Sequence, residues 1–111
     1  MTKGTAPLVE ILMFADCPNA APAIALVDRV GRELATELEL RIVQVVDSDA
    51  ALRERFLGSP TIRVDGRDVE PGADDRDDYS LSCRVYAGGQ GLSGQPDQQW
   101  VRDAIERARR P

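Results

Sequence analysis

The chain has 111 residues, 42% hydrophobic and 30% charged, with 19 acidic against 14 basic side chains and a net charge of −5. That length suits one domain with a modest core of its own, and the acidic balance argues against nucleic acid or an anionic membrane as partner. The sequence contains no histidine, which excludes Cys-His catalysis, a Ser-His-Asp triad and any histidine-bearing zinc site.

The N-terminal stretch, with Lys3 as its one charge, lacks the shape of a secretory signal, and no apolar run is long enough to cross a bilayer. A cytoplasmic location is therefore expected, where two cysteines are more often thiols than a structural staple. Residues 8–14 form a short apolar run suited to a central strand buried on both faces. The run stops at Ala15-Asp16-Cys17-Pro18. From about Asn19 to Leu38 the pattern becomes helical, with Ile24, Val27, Gly31, Leu34 and Leu38 at spacings of three or four. Pro18 and Pro22 sit near the helix start, where proline is tolerated.

Residues 40–46 read as a second strand. Asp47 or Ser48 caps a short helix over 50–57, in which Leu52 and Phe56 share a face. Gly58-Ser59-Pro60 leads into a third strand, residues 61–64, and Asp65-Gly66 is a turn signal. At the end of the chain Asp97 caps a helix over 98–110, which buries Trp100, Val101, Ala104, Ile105 and Ala108. Strand–helix–strand alternation implies parallel pairing of the first two strands.

Two segments compete for the fourth strand. Residues 67–70 could pair with the third strand through the Asp65-Gly66 turn. Residues 81–86 alternate, with Leu81, Cys83 and Val85 on one face. The second is preferred, because its alternating residues bury more than Val69 alone, and residues 65–80 are then an inserted loop. Asp74-Asp75-Arg76-Asp77-Asp78 lacks the spacing of a calcium loop and reads as a solvated acidic segment. The glycines of 88–94 lack a phosphate-loop lysine and read as a mobile link into the last helix.

Cys17 stands where a buried strand passes into a helix. There the helix dipole and free N–H groups favour thiolate, the reactive form, while neighbouring Asp16 works against it. The bland alternative is a small buried hydrophobe. The segment Asp16-Cys17-Pro18-Asn19-Ala20 after a buried strand, with Gly58-Ser59-Pro60-Thr61 opening a later one, resembles the small bacterial thioredoxin-like and glutaredoxin-like proteins.

This resemblance implies a thioredoxin-like α/β fold, a four-stranded mixed sheet flanked by three helices in the order β-α-β-α-β-β-α. It also implies a single domain over residues 1–111, with an acidic and glycine-rich insertion at about 65–96. It further implies a cis Ser59-Pro60 bond that presents the Ser59 backbone to an extended thiol substrate, with Pro18 and Thr61 lining the site. The family's second redox cysteine falls at Ala20, so the chemistry implied is that of a single thiol. Cys83 is either a core residue on the fourth strand or a resolving thiol; the latter requires 67–70 to be the strand, freeing the Cys83 segment to fold back over the site.

The leading expectation is thus thiol–disulfide exchange at Cys17 with a small thiol or a disulfide-bearing protein, without a cofactor. The alternatives are capture of mercury, copper or zinc by Cys17 and Cys83, and a redox-inert interaction domain of the same fold.

Overall fold

The structure, a computed structural model, describes residues 6–89 and 91–109. Strand β1 (Leu8–Met13) alternates its side chains across the sheet, sending Val9 and Ile11 to one face and Leu12 to the other. Helix α1 (Ala20–Glu33) follows, then β2 (Glu39–Gln44), the short helix α2 (Ser48–Arg53), β3 (Thr61–Val64) and β4 (Arg67–Asp68). A 3-10 turn at Ala73–Asp75, a small hairpin of β5 (Tyr86–Gly88) and β6 (Gly91–Ser93), and α3 (Gln98–Ala108) complete the chain.

The four-stranded sheet has the order β2-β1-β3-β4. β1 pairs parallel with β2, antiparallel with β3 in the register Leu12 to Thr61, and β3 pairs antiparallel with β4. One face packs Val9, Ile11, Ile62 and Val64 against Leu26, Val27 and Val30 of α1 and Val101 and Ile105 of α3. The other collects Leu12, Val45, Ala50, Ala51 and Phe56 beneath α2. Among the described residues no helix is long and apolar enough to cross a membrane.

Both early helices end sooner than their periodicity suggests, and for the same reason. After α1 the chain turns at Ala35, with φ of 49°, while Thr36 N–H donates to Gly31 O and Ala35 N–H to Arg32 O. After α2 it turns at Arg55, with φ of 56°, while Phe56 N–H donates to Ala51 O and Arg55 N–H to Leu52 O. This pairing of a left-handed residue with crossed hydrogen bonds closes off the last carbonyls of a helix. It takes Leu38 out of α1, though Leu38 still packs beside Gly31, where a Cβ would lie 2.8 Å from its Cδ1. It also separates Leu52 from Phe56: Leu52 is 60% exposed, whereas Phe56 is fully buried.

The starts of α2 and α3 follow their caps, whereas Asn19 before α1 makes no side-chain cap bond. Asp47 accepts from Ala50 N–H at 2.8 Å, and Asp97 accepts from Gln99 N–H at 2.9 Å and Gly89 N–H at 2.8 Å. Replacing Asp47 by Ala is expected to cost about 1 kcal/mol in urea unfolding, the usual worth of such a cap. The Gly89 bond, and after it the Gln99 bond, hold the Asp97 carboxyl below its ordinary 3.8. A carboxylate lowered on folding adds stability above its unfolded value and loses it as pH falls through the native one. Asp97→Asn should therefore shallow the acid limb of a stability–pH curve.

The fourth strand is Arg67–Asp68, not 81–86. Asp65 and Gly66 both take positive φ, 49° and 86°, which suits a two-residue hairpin turn of the twist that strands prefer. The glycine-rich stretch is the β5–β6 hairpin rather than a loose link, with Gly88 paired to Gly91. Arg110, the expected end of the last helix, lies outside the described residues; α3 ends at Ala108.

Candidate functional site

β1 and β3 lie side by side and antiparallel, so the residues that follow β1 meet the residues that precede β3. Phe14 N–H donates to Ser59 Oγ at 3.4 Å, and Cys17 N–H turns back to Phe14 O at 3.2 Å. Cys17 thus sits in a turn tied to the Ser59-Pro60 loop, and that peptide bond is cis. α1 begins only at Ala20, so Cys17 lies in the turns leading to the helix, not in its first turn. The residue is 8% exposed and Pro18 is exposed.

With 67–68 as the fourth strand, residues 80–89 and 91–95 are free to fold back over this end of the sheet, and they do. Ser80 N–H donates to Phe56 O at 2.9 Å. Ser59 N–H donates to Ser82 O at 2.8 Å and Ser59 O accepts from Arg84 N–H at 3.0 Å, so Cys83 lies directly beside Ser59 in a parallel bridge. Further along, Gln95 Nε2 donates to Asn19 O at 2.9 Å, and Gly94 packs against the Asn19 side chain. This arm therefore touches the Cys17 turn from one flank and the Ser59 loop from the other.

Alternation holds only over 83–86, with its sides reversed, and Ser82 is exposed along with its neighbours. Leu81, Cys83 and Val85 face solvent, whereas Arg84 is 3% exposed and Tyr86 fully buried. The reading of Cys83 as a core residue is thereby corrected: it is an exposed free thiol. The reversal is driven by distant charge. Arg84 makes a bidentate pair with Asp68 at 2.8 and 3.1 Å, reaches Glu70 Oε1 at 2.8 Å and donates to Thr61 Oγ1 at 3.0 Å. Its guanidinium lies 4.4 Å from the centre of the Tyr86 ring, a cation–π contact. Burial pushes the Arg84 pKa down, but Asp68, Tyr86 and Glu70 more than offset this, and the guanidinium stays charged with its pKa raised.

Tyr86 completes the clamp by donating from its hydroxyl to Pro60 O at 2.5 Å. Burial holds this phenol above its ordinary 10.0, with the Arg84 charge pulling partly the other way. A group whose pKa rises on folding gives stability that is complete below the unfolded value and fades as pH rises above it. Alkaline unfolding should thus steepen above about pH 10, where an unfolded tyrosine ionises, and Tyr86→Phe should remove that part of the decline.

Of the residues expected to form the site, Cys17, Ser59, Pro60 and Cys83 are gathered at one end of the sheet, with Pro18 on the exposed side of the Cys17 turn. Thr61 is fully buried, and its hydroxyl is occupied by donation to Gly58 O at 2.6 Å and by acceptance from Arg84. The acidic segment serves structure in part: Asp74 Oδ1 accepts from Asp68 N–H, and Asp78 holds Arg76. Among the described residues no three Cys, Asp or Glu side chains gather as a metal site.

Sequence reasoning missed Arg84, Asp68, Glu70 and Tyr86. A usable signal was present: Asp68 and Glu70, like Arg84 and Tyr86, stand two apart and so share a face in extended chain.

No protein-family model, curated protein or solved structure matches the chain.

Proposed function

We propose that the chain is a thioredoxin-like thiol protein whose Cys17 carries out thiol–disulfide exchange. One observation carries this reading: the hydrogen bond from Phe14 N–H to Ser59 Oγ sets the Ser59-Pro60 loop against the turn that bears Cys17. The sheet order β2-β1-β3-β4, with β3 antiparallel to its neighbours, supports it. In the exchange, the Cys17 thiolate attacks one sulfur of a disulfide and forms a new S–S bond to it. The original S–S bond breaks, and the departing thiolate takes a proton from water. Ala20 leaves Cys17 without a local partner, so the product is a mixed disulfide.

The test is mass spectrometry of the protein treated with bis(2-hydroxyethyl) disulfide, with free cysteine as the rate reference. Wild type and Cys83→Ser should form the adduct at Cys17 faster than free cysteine does, and Cys17→Ser should lose that fast phase. A Cys17 rate no higher than the reference overturns the proposal. In wild type, loss of the adduct with formation of a Cys17–Cys83 disulfide assigns Cys83 as the resolving thiol. A persistent adduct confines the chemistry to Cys17.

A further inference from the structure

We infer that the arm formed by residues 80–89 and 91–95 is a specificity element: it denies Cys17 to extended polypeptide disulfides and leaves it to low-molecular-weight disulfides. The inference rests on the thiol-exchange reading and adds to it a substrate class.

An extended peptide docks beside a strand by taking that strand's free N–H and C=O groups. At this site the end of the sheet continues into Ser59, in the loop before β3, and both of its backbone groups are already used in an isolated bridge to the arm. Its N–H donates to Ser82 O and its carbonyl accepts from Arg84 N–H. The residue is fully buried, and the neighbouring Cys17 is 8% exposed. The chain itself therefore occupies the backbone position that an incoming polypeptide would need.

The cover is built rather than laid on. Arg84 pins it through Asp68, Glu70 and Thr61, and Tyr86 pins it through Pro60 O. Its far end is held by Gln95 on Asn19 O. Gly58 admits it: a Cβ there would lie 2.8 Å from Arg84 Cβ and 3.1 Å from Arg84 Cα. To dock by backbone pairing, a peptide has to break two hydrogen bonds of Ser59 and displace a segment anchored by buried charge. A disulfide with no peptide backbone needs neither step and requires only an approach to the Cys17 sulfur.

The experiment compares two probes on the Cys83→Ser protein, which isolates Cys17: bis(2-hydroxyethyl) disulfide and an extended peptide carrying a mixed disulfide with 2-mercaptoethanol. Each rate is divided by the rate of free cysteine with the same probe. The small disulfide should be favoured by about tenfold or more, because docking of the peptide must break backbone hydrogen bonds. Equal normalised rates that both exceed the free-cysteine level overturn the inference while leaving the exchange reading intact. Rates at the free-cysteine level for both probes overturn the exchange reading itself.

Arg84→Ala and Tyr86→Phe, each added to Cys83→Ser, loosen the arm, and the second keeps the ring if the first does not fold. In a folded variant whose residue-84 amide exchanges with solvent faster than in the parent, the preference should fall. An unchanged preference in such a variant also overturns the inference.

Discussion

Replacing Arg84 by Met should destabilise the chain by about 3–5 kcal/mol, because it strands a buried carboxylate. The Asp68 side chain is 3% exposed and both of its oxygens are engaged by the guanidinium. Met has the length to fill the stem of the site but no charge to return. Glu70, 20% exposed, can turn to water and loses less. The measurement is the urea midpoint with its slope. A loss below about 1 kcal/mol, the worth of an exposed ion pair, contradicts the reading of this cluster as buried. Adding Asp68→Leu should restore much of the loss, since removing both charges of a buried pair is far cheaper than removing one.

Gly58→Ala should cost about 2–5 kcal/mol, from a strained backbone and an overpacked contact together. The residue has φ of 123°, which side chains rarely tolerate, and its new methyl would meet the Cβ, Cα and N of Arg84 at 2.8 to 3.2 Å. Two of these atoms are backbone, so rotation of the Arg84 side chain cannot relieve the contact. The arm has to shift, and the bond from Arg84 N–H to Ser59 O weakens with it. Thermal unfolding reads the total cost, and the exchange rate of the Arg84 amide reads the shift. A variant with wild-type stability and an unchanged Arg84 amide contradicts this account.

The features legible in the sequence were those governed by near neighbours. The apolar run of β1, the Asp65-Gly66 turn and the Asp47 and Asp97 caps each depend on a few adjacent residues, and each lies where expected. The ends of α1 and α2 were harder, because Ala35 and Arg55 take left-handed conformations that their residue types do not announce. The sides of 81–86 were misjudged for a different reason. Period two fixes which residues share a face but not which face is inward, and Arg84 faces inward only because Asp68 and Glu70 are there to receive it. At the site itself, the junction of Cys17 and the Ser59-Pro60 loop could be anticipated. The occupation of Ser59 by its own chain could not, since that contact spans more than twenty residues.

The Arg84 clamp also has a consequence for the chain as a covalent object. Asp68 and Glu70 precede the exposed acidic stretch Asp74-Asp75-Arg76-Asp77-Asp78, and Arg84 follows it. A protease that cuts within that stretch severs the backbone between the partners of the ion pairs without touching them. The piece beyond the cut also supplies Tyr86, Val101 and Ile105, all fully buried, to the interior of the first. A nicked molecule should thus run as one particle on a sizing column and as two bands in denaturant, with Ser59 still bridged by a fragment no longer joined to it.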